Sequence, residues 1–259
     1  MSQNEHLKPT WVKPEPVGHI HPINAMIKEL QGIYAEIGFS VITGPELETE
    51  FYNFDALNIP ANHPSRDMQD TFWIKDKEEA GKNNNNTGGL NVHSKRLLLA
   101  TQTSAMQVRY MEKHKPPFRI IGPGKVFRNE ATDATHEAQF HQLEALYVDK
   151  EVSLAQLKGT LEFVFKKLFG DEVIIRFRPS FFPFVEPALE VDMKWKDKWL
   201  EVCGAGMVHP NVLKAAGIDS KKWKGFAFAL GIDRLVMLRH GIDDIRLLYS
   251  GDMRFVNQF

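Results

Sequence analysis

The chain has little cysteine, no long apolar segment and no surplus of charge, and each shortage excludes a class of protein. A single cysteine, Cys203, rules out an intrachain disulfide framework and is typical of a reducing compartment. No apolar stretch approaches the roughly 20 residues that span a bilayer, and the polar N-terminus is not typical of a signal peptide. The net charge of −1 gives no general attraction to nucleic acid. We therefore expect a cytoplasmic protein with no membrane association.

What the chain does contain is typical of one large globular domain. Its 259 residues are 43% hydrophobic and 11% aromatic. We expect an extended lead-in over residues 1–17 and a single folded domain over residues 18–259. Cys203 lies in an apolar, strand-like run, which favours a buried small side chain over a nucleophile.

Two segments have the apolar spacing of helices. Apolar residues three and four apart run from Ile23 to Ile37 and stop at Gly38. A second helix is predicted after the capping residue Ser153 and ends at Gly170. The Asn-rich, charged stretch over residues 75–94 is interpreted as a surface hairpin loop without function.

Elsewhere the pattern is that of strands joined by turns. A strand broken by Gly44-Pro45 is predicted over 39–47, and further strands around 119–121, 126–130, 140–148, 173–177, 188–195 and 199–202. Few long helices separate these strands. The expected fold class is therefore α+β, with an antiparallel sheet flanked by helices rather than a doubly wound parallel sheet.

Two arginines a hundred residues apart carry the first indication of function. Arg128 follows Phe127, and Arg234 lies in the apolar run Leu230 to Val236. A guanidinium among apolar neighbours is costly to desolvate unless it meets an anion. Two such groups predict one polyanionic ligand, and a nucleoside triphosphate is the first hypothesis.

Three strand segments each place polar and aromatic side chains on one face, because residues two apart on a strand point the same way. A half-solvated outer face explains any one of them, whereas a cleft explains all three together. These sets are Arg128 with Glu130, Phe140 with Gln142 and Glu144, and Phe182 with Phe184 and Glu186.

The loop Ala131–Gln139 connects the first two of these segments. It has no proline or glycine to fold it tightly, so it is free to lie over a nucleotide. His136 in this loop is either a solvated surface histidine or a nucleotide contact, and the residues alone leave the two readings open.

Taken together, these segments resemble the motifs of class II aminoacyl-tRNA synthetases. Residues 127–144 are similar to motif 2, residues 225–234 to motif 3, and residues 18–45 are placed like motif 1. Asp133-Ala134-Thr135-His136, Phe182-Pro183-Phe184 and Gly206-Met207-Val208-His209-Pro210 resemble the catalytic alpha subunits of bacterial phenylalanyl-tRNA synthetases more closely. The resemblance covers nearly the whole chain, from residue 18 to residue 259.

The resemblance implies a site for ATP. Arg128 would hold the α-phosphate, Phe140 and Arg234 would enclose the adenine, and His136 would reach the pyrophosphate end. Glu130 belongs to the same nucleotide-binding set. The catalytic set would be Arg128, Arg234 and His136.

The resemblance also implies a site for phenylalanine. The groups that grip the ammonium and carboxylate would be Gln102, Ser104, Gln107, Gln142 and Glu144. Phe182, Phe184, Val185 and Ala227 would form the wall of the side-chain pocket. Glu186 matches a position that helps to hold Mg²⁺ at a subunit boundary.

The implied reaction joins phenylalanine to ATP as an adenylate and then to tRNA(Phe), with ATP and Mg²⁺ as cofactors. The implied assembly is an (αβ)₂ heterotetramer with a beta subunit, so we expect the isolated chain to dimerise weakly or behave poorly. The family's N-terminal helical arm, which reaches the tRNA, is not seen before residue 18. Charging of tRNA by this chain alone is therefore not expected.

Three positions depart from the family pattern. Gln102 replaces a histidine, Ala229 stands where glycine is usual, and Asp233 stands where glutamate is usual. A methyl group at position 229 narrows the pocket, and a shorter carboxylate at 233 changes the hold on Arg234.

Two other functions fit parts of the sequence. One is a catalytically weak or inactive synthetase-like module that binds amino acid for regulation. The other is an amide-forming ligase that uses the same adenylate chemistry, which would require a pocket different from Phe182-Pro183-Phe184.

Overall fold

The computed structural model describes residues 18–67, 70–75 and 96–259. Residues 1–17 and all of the 75–94 insertion except Lys75 lie outside the described residues. In the described part, the strands are β1 Ser40–Val41, β2 Leu47–Thr49, β3 Leu97–Leu99, β4 Phe118–Phe127, β5 Gln139–Asp149, β6 Ile175–Phe182, β7 Val185–Trp195, β8 Lys198–Val208 and β9 Lys224–Gly231.

Seven of the described strands form one sheet in the order β1-β4-β5-β9-β8-β7-β6, and β2 pairs with β3 separately. Every neighbouring pair is antiparallel except β1 and β4. The predicted α+β class with an antiparallel sheet is confirmed.

Helices lie on both faces of this sheet. The described α-helices are α1 Pro22–Glu36, α2 Glu50–Asn53, α3 Ala105–Met111, α4 Leu154–Phe169, α5 Pro210–Ala215, α6 Ile232–His240 and α7 Met253–Val256. Short 3-10 helices cover Asp55–Leu57, Pro64–Arg66 and Ile245–Leu248. No helix in these described ranges combines the length and apolarity that crossing a membrane requires.

The two predicted long helices are confirmed, with the predicted capping residues. Ser153 caps α4 in a reciprocal pair with Gln156, whose backbone N–H donates to the Ser153 hydroxyl at 3.3 Å. Gly170 ends this helix with a φ of 88°, and Gly38 follows α1 with a φ of 80°. Both angles are in the left-handed region that glycine adopts without strain.

The predicted strands are present but their limits differ. The segments predicted at 119–121 and 126–130 belong to one strand, β4, which ends at Phe127 instead of residue 130. Asn129 bonds through its N–H to the carbonyl of Asp70 at 3.2 Å, so the chain leaves the sheet there. The strand predicted at 39–47 is divided between the two-residue β1 and the start of β2.

Alternation along β5 separates the core from the open face. Leu143, Ala145 and Tyr147 point into the core shared with α1, α4 and α6. On the other face, Leu146 and Val148 are covered by α3, α5 and the 3-10 helix Asp55–Leu57. The remaining part of that face, nearer the start of β5, is left open.

Tyr34 of α1 provides a test of the core. Its ring is fully buried, 5.4 Å edge-on from Phe39, and its hydroxyl has no hydrogen-bond partner among the described residues. A buried polar group without a partner is destabilising. We expect Tyr34→Phe to raise the free energy of unfolding by about 1 kcal/mol in denaturant titration.

The matched control is Tyr147→Phe. The Tyr147 hydroxyl donates to Asp149 at 3.1 Å and contacts Arg119 at 3.2 Å, so its loss should lower the free energy of unfolding by about 1 kcal/mol. A destabilised Tyr34→Phe variant would contradict the assignment of an unpaired hydroxyl.

Candidate active site

A cavity of about 450 Å³ opens over the uncovered face of β5, β8 and β9. The structure brings all but two of the predicted site residues to this cavity. The predicted residues that line it are Gln102, Ser104, Arg128, Glu130, His136, Phe140, Gln142, Glu144, Phe182, Phe184, Val185, Ala227 and Arg234.

The floor of the cavity is built by strand alternation and small side chains. Phe140, Gln142 and Glu144 of β5 all line it, as the two-residue period predicts. Opposite Glu144 in the sheet stands Ala229, which also faces Gly204 of β8. A Cβ on Gly204 would come within 3.2 Å of the Phe182 ring, so glycine leaves room for that ring.

One wall is aromatic. Phe182 ends β6, and Phe184 lies in the turn to β7, with ring centroids 5.8 Å apart and planes within 15° of each other. Val185 begins β7 beside them, and all three line the cavity. Stacked rings with an aliphatic neighbour form an apolar pocket that suits an uncharged ring.

Glu144 is a buried carboxylate at the base of this pocket. It is 4% exposed and accepts hydrogen bonds from the hydroxyls of Thr103 at 2.9 Å and Ser104 at 3.0 Å, and from the Gln107 amide. Burial raises its pKa to about 7, although the three hydrogen bonds favour the ionised form. A cation entering the cavity would find here a strong acceptor with little water around it.

Of the two predicted glutamines near Ser104, Gln102 lines the cavity and Gln107 does not. Gln107 is buried behind Glu144 and does not line the cavity, so it supports the carboxylate instead of facing the opening. Gln102, which replaces the family's histidine, lines the cavity and donates its amide N–H to the carbonyl of Asn53 at 3.0 Å.

Arg128 lies just past the end of β4, at the opposite end of the cavity. Its guanidinium is 5.0 Å from the Phe140 ring centroid and 3.9 Å from a Glu130 carboxylate oxygen. Its side chain is 41% exposed. Partial desolvation lowers the pKa of Arg128, and the charges of Glu130 and Asp70 oppose this. Phe140 and Glu130 therefore hold the Arg128 guanidinium at the cavity, where its N–H groups can donate to a ligand.

Arg234 lies in the first turn of α6. The prediction that its guanidinium is desolvated among apolar neighbours is wrong. Leu235, Val236 and Ile232 are buried, but Arg234 is on the exposed side of the helix. The apolar run is amphipathic once coiled at 3.6 residues per turn, so the arginine is not desolvated. Its Nη1 donates to the Glu201 carbonyl at 2.9 Å, which orients it along the cavity.

The loop between β4 and β5 is folded more tightly than its lack of glycine and proline suggests. The Asp133 carboxylate accepts from the backbone N–H groups of Thr135 at 2.7 Å and His136 at 2.8 Å. It also contacts the His136 ring at 3.0 Å, and these bonds lower the pKa of Asp133. The Asp133 side chain therefore closes the turn without a glycine. The loop places Thr135, His136 and Glu137 at the cavity.

Glu186 is not part of this cavity. Its side chain is 78% exposed, lies 3.6 Å from His209 and borders a second cavity of about 270 Å³ behind Phe182 and Val185. The prediction that Phe182, Phe184 and Glu186 share one face is wrong, because the register shifts at the β6–β7 turn. Among the described residues, no three His, Cys, Asp or Glu side chains are grouped closely enough to hold a metal.

Sequence reasoning missed several contributors to the cavity, among them three titratable side chains on β8 and α6. Glu201, Cys203 and Asp233 all line it. Val191 pairs with Cys203 but Asp192 pairs with Glu201, so Val202 is an extra residue in β8. That irregularity disrupts the alternation from which a face is predicted. Cys203 is nevertheless buried as expected, and burial raises its pKa.

The structure thus combines an antiparallel sheet, an arginine beyond one strand, a second arginine on a following helix and a small-residue floor, as the resemblance to class II synthetases leads us to expect. The comparisons agree with this class. The family model described as "tRNA synthetases class II core domain (F)" matches residues 7–259. The chain belongs to this family of class II tRNA synthetase core domains.

Curated relatives share about half of the sequence. The phenylalanine-tRNA ligase alpha subunit of Synechocystis is 49% identical over 244 residues, which is 94% of this chain and 68% of the relative. That of Dehalococcoides mccartyi is 49% identical over 271 residues, which covers 100% of this chain and 75% of the relative. That of Bacillus licheniformis is 48% identical over 260 residues, covering 95% and 70%.

A solved structure supports the fold independently. Pyrrolysyl-tRNA synthetase from Desulfitobacterium hafniense superposes with a TM-score of 0.65 at 17% identity. The match covers 87% of this chain and 72% of that one. At this identity the likeness is one of fold.

The raised pKa of Glu144 predicts how stability depends on pH. In the unfolded chain the carboxyl ionises near 4.5, whereas the folded protein keeps its proton up to about 7. The folded state binds more protons between these values, so its stability should fall as pH rises from 5 to 7. This group alone contributes a slope of up to about 1.4 kcal/mol per pH unit.

The measurement is the free energy of unfolding of the ligand-free protein across that range, for the wild type and for Glu144→Gln. The variant should show a shallower slope, because its amide does not titrate. Asp233, whose pKa burial raises to about 6, is common to both proteins and cancels in the comparison. Parallel slopes would show that Glu144 is ionised in the folded protein.

Proposed function

We propose that this chain is a catalytic alpha subunit that converts phenylalanine and ATP to phenylalanyl-adenylate and transfers the phenylalanyl group to tRNA(Phe). The proposal rests on one cavity that has the guanidinium groups of Arg128 and Arg234 at one end and an apolar pocket with the buried carboxyl group of Glu144 at the other. The names of the curated relatives support the same substrate.

The nucleotide would bind at the arginine end. Arg128 would pair with the α-phosphate, since a guanidinium presents two parallel donors to phosphate oxygens. Phe140 and Arg234 offer faces on which the adenine stacks. Glu130 and His136 border the same region, and His136 would approach the pyrophosphate end.

The amino acid would bind at the Glu144 end. Its ammonium would meet Glu144 and Gln142, while Gln102 and Ser104 contribute hydrogen bonds and Gln107 holds Glu144 in place. Its ring would lie against Phe182, Phe184, Val185 and Ala227. None of the four described residues of this wall is charged, so shape and ring contacts would provide selectivity.

In the proposed reaction, a carboxylate oxygen of phenylalanine forms a bond to the α-phosphorus of ATP while the bond to the pyrophosphate oxygen breaks. The substrate carboxylate is already ionised, so the chain need not supply a nucleophile or a strong base. Its contribution is to align the two substrates and to hold guanidinium groups where negative charge accumulates.

The described residues offer no closed set of protein ligands for magnesium. Glu186 is a single exposed carboxylate outside the main cavity. A magnesium ion there would need ligands from another subunit, and one accompanying ATP would be held chiefly by phosphate oxygens.

The proposed setting is an (αβ)₂ heterotetramer in the cytoplasm. The term alpha subunit in the names of the relatives supports a beta partner. A regulatory module that binds amino acid without ATP would have no use for the arginine end of the cavity, so the structure offers nothing in favour of that alternative.

The test is amino-acid-dependent exchange of labelled pyrophosphate into ATP, with and without a beta subunit. Phenylalanine should support exchange, and Arg128→Ala should reduce kcat about 100- to 1000-fold, as expected for loss of a preorganised donor at the reacting phosphate. The matched control is Arg254→Ala, an exposed arginine paired with Asp252 and not among the residues lining the cavity.

Each alternative has its own outcome in this assay. Binding of phenylalanine with no exchange in the assembled protein would support a regulatory module. Exchange with a different acid would support another adenylate-forming ligase. Equal activities of Arg128→Ala and wild type would contradict the proposed role of the arginine.

Glu144 makes phenylalanine binding depend on pH. The substrate ammonium pairs with the ionised carboxylate, so below the free pKa of about 7 binding must first remove a proton. We expect the dissociation constant of phenylalanine to fall up to about tenfold per unit as pH rises from 5.5 to 7, and then to level off. Calorimetry at each pH measures this, and Glu144→Gln should bind weakly with little pH dependence.

A further inference from the structure

The segment that follows α6 contacts the loop over the cavity, the start of α1 and the first turn of α6. The Ile245 N–H donates to the carbonyl of Ala134, in the loop over the cavity, at 2.9 Å. The Leu248 carbonyl lies 3.0 Å from the ring Nε2 of His21, the capping residue of α1. The Tyr249 hydroxyl donates to the carboxylate of Asp233 in the first turn of α6. We call residues 245–249 the brace.

Asp233 is the point where the brace meets the sheet. It is 2% exposed, and its second oxygen accepts from the backbone N–H of His141 on β5 at 2.7 Å. The Tyr249 hydroxyl also lies 3.0 Å from the His141 ring Nδ1. One carboxylate therefore joins the start of α6 to β5 and to the brace.

This joint has a direct bearing on Arg234, the next residue along the helix. Arg234 is exposed and has one protein hydrogen bond among the described residues, to the Glu201 carbonyl. Its position therefore depends on where the backbone of the first turn is held. Ile232 packs that turn into the core, and Asp233 holds it through hydrogen bonds. Among the described residues, the hydrogen-bond partner that Asp233 has outside β5 is Tyr249.

The chemistry of the three side chains fits a fixed hydrogen-bond chain. Burial and the Asp233 charge raise the pKa of Tyr249, so its hydroxyl remains a donor. Burial, with the nearby Lys125 and His21, lowers the pKa of His141 to about 4, so its ring is neutral at physiological pH. Tyr249 does not line the cavity, so its hydroxyl acts through Asp233.

We propose that Tyr249 is a positioning residue for the nucleotide site, whose hydroxyl holds Asp233 and thereby the turn of α6 that carries Arg234. The Tyr249 hydroxyl connects the Asp233 carboxylate directly to the brace. The inference rests on the proposed function insofar as Arg234 contacts ATP.

The test is Tyr249→Phe, which removes only the hydroxyl, in the chain assembled with its beta subunit. We expect the KM for ATP in pyrophosphate exchange to rise about tenfold, because one hydrogen bond to a charged group is lost. The KM for phenylalanine should stay within about twofold. This split separates positioning of Arg234 from a general loss of structure, which would affect both substrates.

Tyr147→Phe is the matched control. It also removes a hydroxyl bonded to an aspartate, on β5 but on the core face and outside the cavity. It should lower thermal stability by an amount similar to Tyr249→Phe and leave the KM for ATP unchanged.

A double variant tests the route through Asp233. Asp233→Ala alone should raise the KM for ATP, and adding Tyr249→Phe should raise it little further, because the hydroxyl acts through the carboxylate. Additive losses in the double variant would overturn the coupling. An unchanged KM for ATP in Tyr249→Phe, or equal losses for both substrates, would overturn the proposal. An inactive wild type would instead contradict the proposed function.

Discussion

The two-sided character of β5 is the constraint on which the rest of the structure depends. One face of this strand packs into the core beneath α1, α4 and α6, and the other carries the polar groups of the site. Because the period of a strand is two, Phe140, Gln142 and Glu144 cannot leave the cavity without bringing Leu143 and Ala145 out of the core. The hydrophobic core thereby fixes the floor of the cavity, and the neighbouring β9 contributes small residues that keep it open.

Charge is distributed unevenly along this floor. A carboxylate, Glu144, is buried at the apolar end, and two guanidinium groups stand at the more open end. Among the described residues, three neutral donors and no cation bond to the buried acid, so its pKa is raised and an incoming ammonium would bind there. The two arginines are partly exposed, so they remain charged. Their contacts with Phe140 and the Glu201 carbonyl orient them toward the cavity, where an anion would bind. An amino acid and a nucleotide would therefore enter with opposite charges facing opposite ends of one groove.

Most of the fold was predictable from local signals. Ser153, Gly170 and Gly38 mark helix ends through capping and left-handed backbone angles, and these requirements are satisfied within a few residues of sequence. The cavity residues on β5 followed from alternation. The errors arose where longer-range contacts decide. Asn129 leaves the sheet to reach Asp70, Val202 forms a bulge, and Glu186 is turned away from Phe182 by a register shift. No pattern in the sequence indicates these events, since each depends on a partner elsewhere in the chain.

The sequence by itself determined the α+β class, the faces of most of the principal strands and about half of the residues that line the cavity, because periodicity and motif chemistry are local properties. Only the tertiary structure decided that Arg234 is exposed, that Gln107 stands behind Glu144, and that Tyr249 bonds to Asp233. It also decided the pKa of Glu144, because the free energy of a buried charge depends on which groups surround it after folding. Those surroundings are assembled from segments distant in the chain, and only packing brings them together.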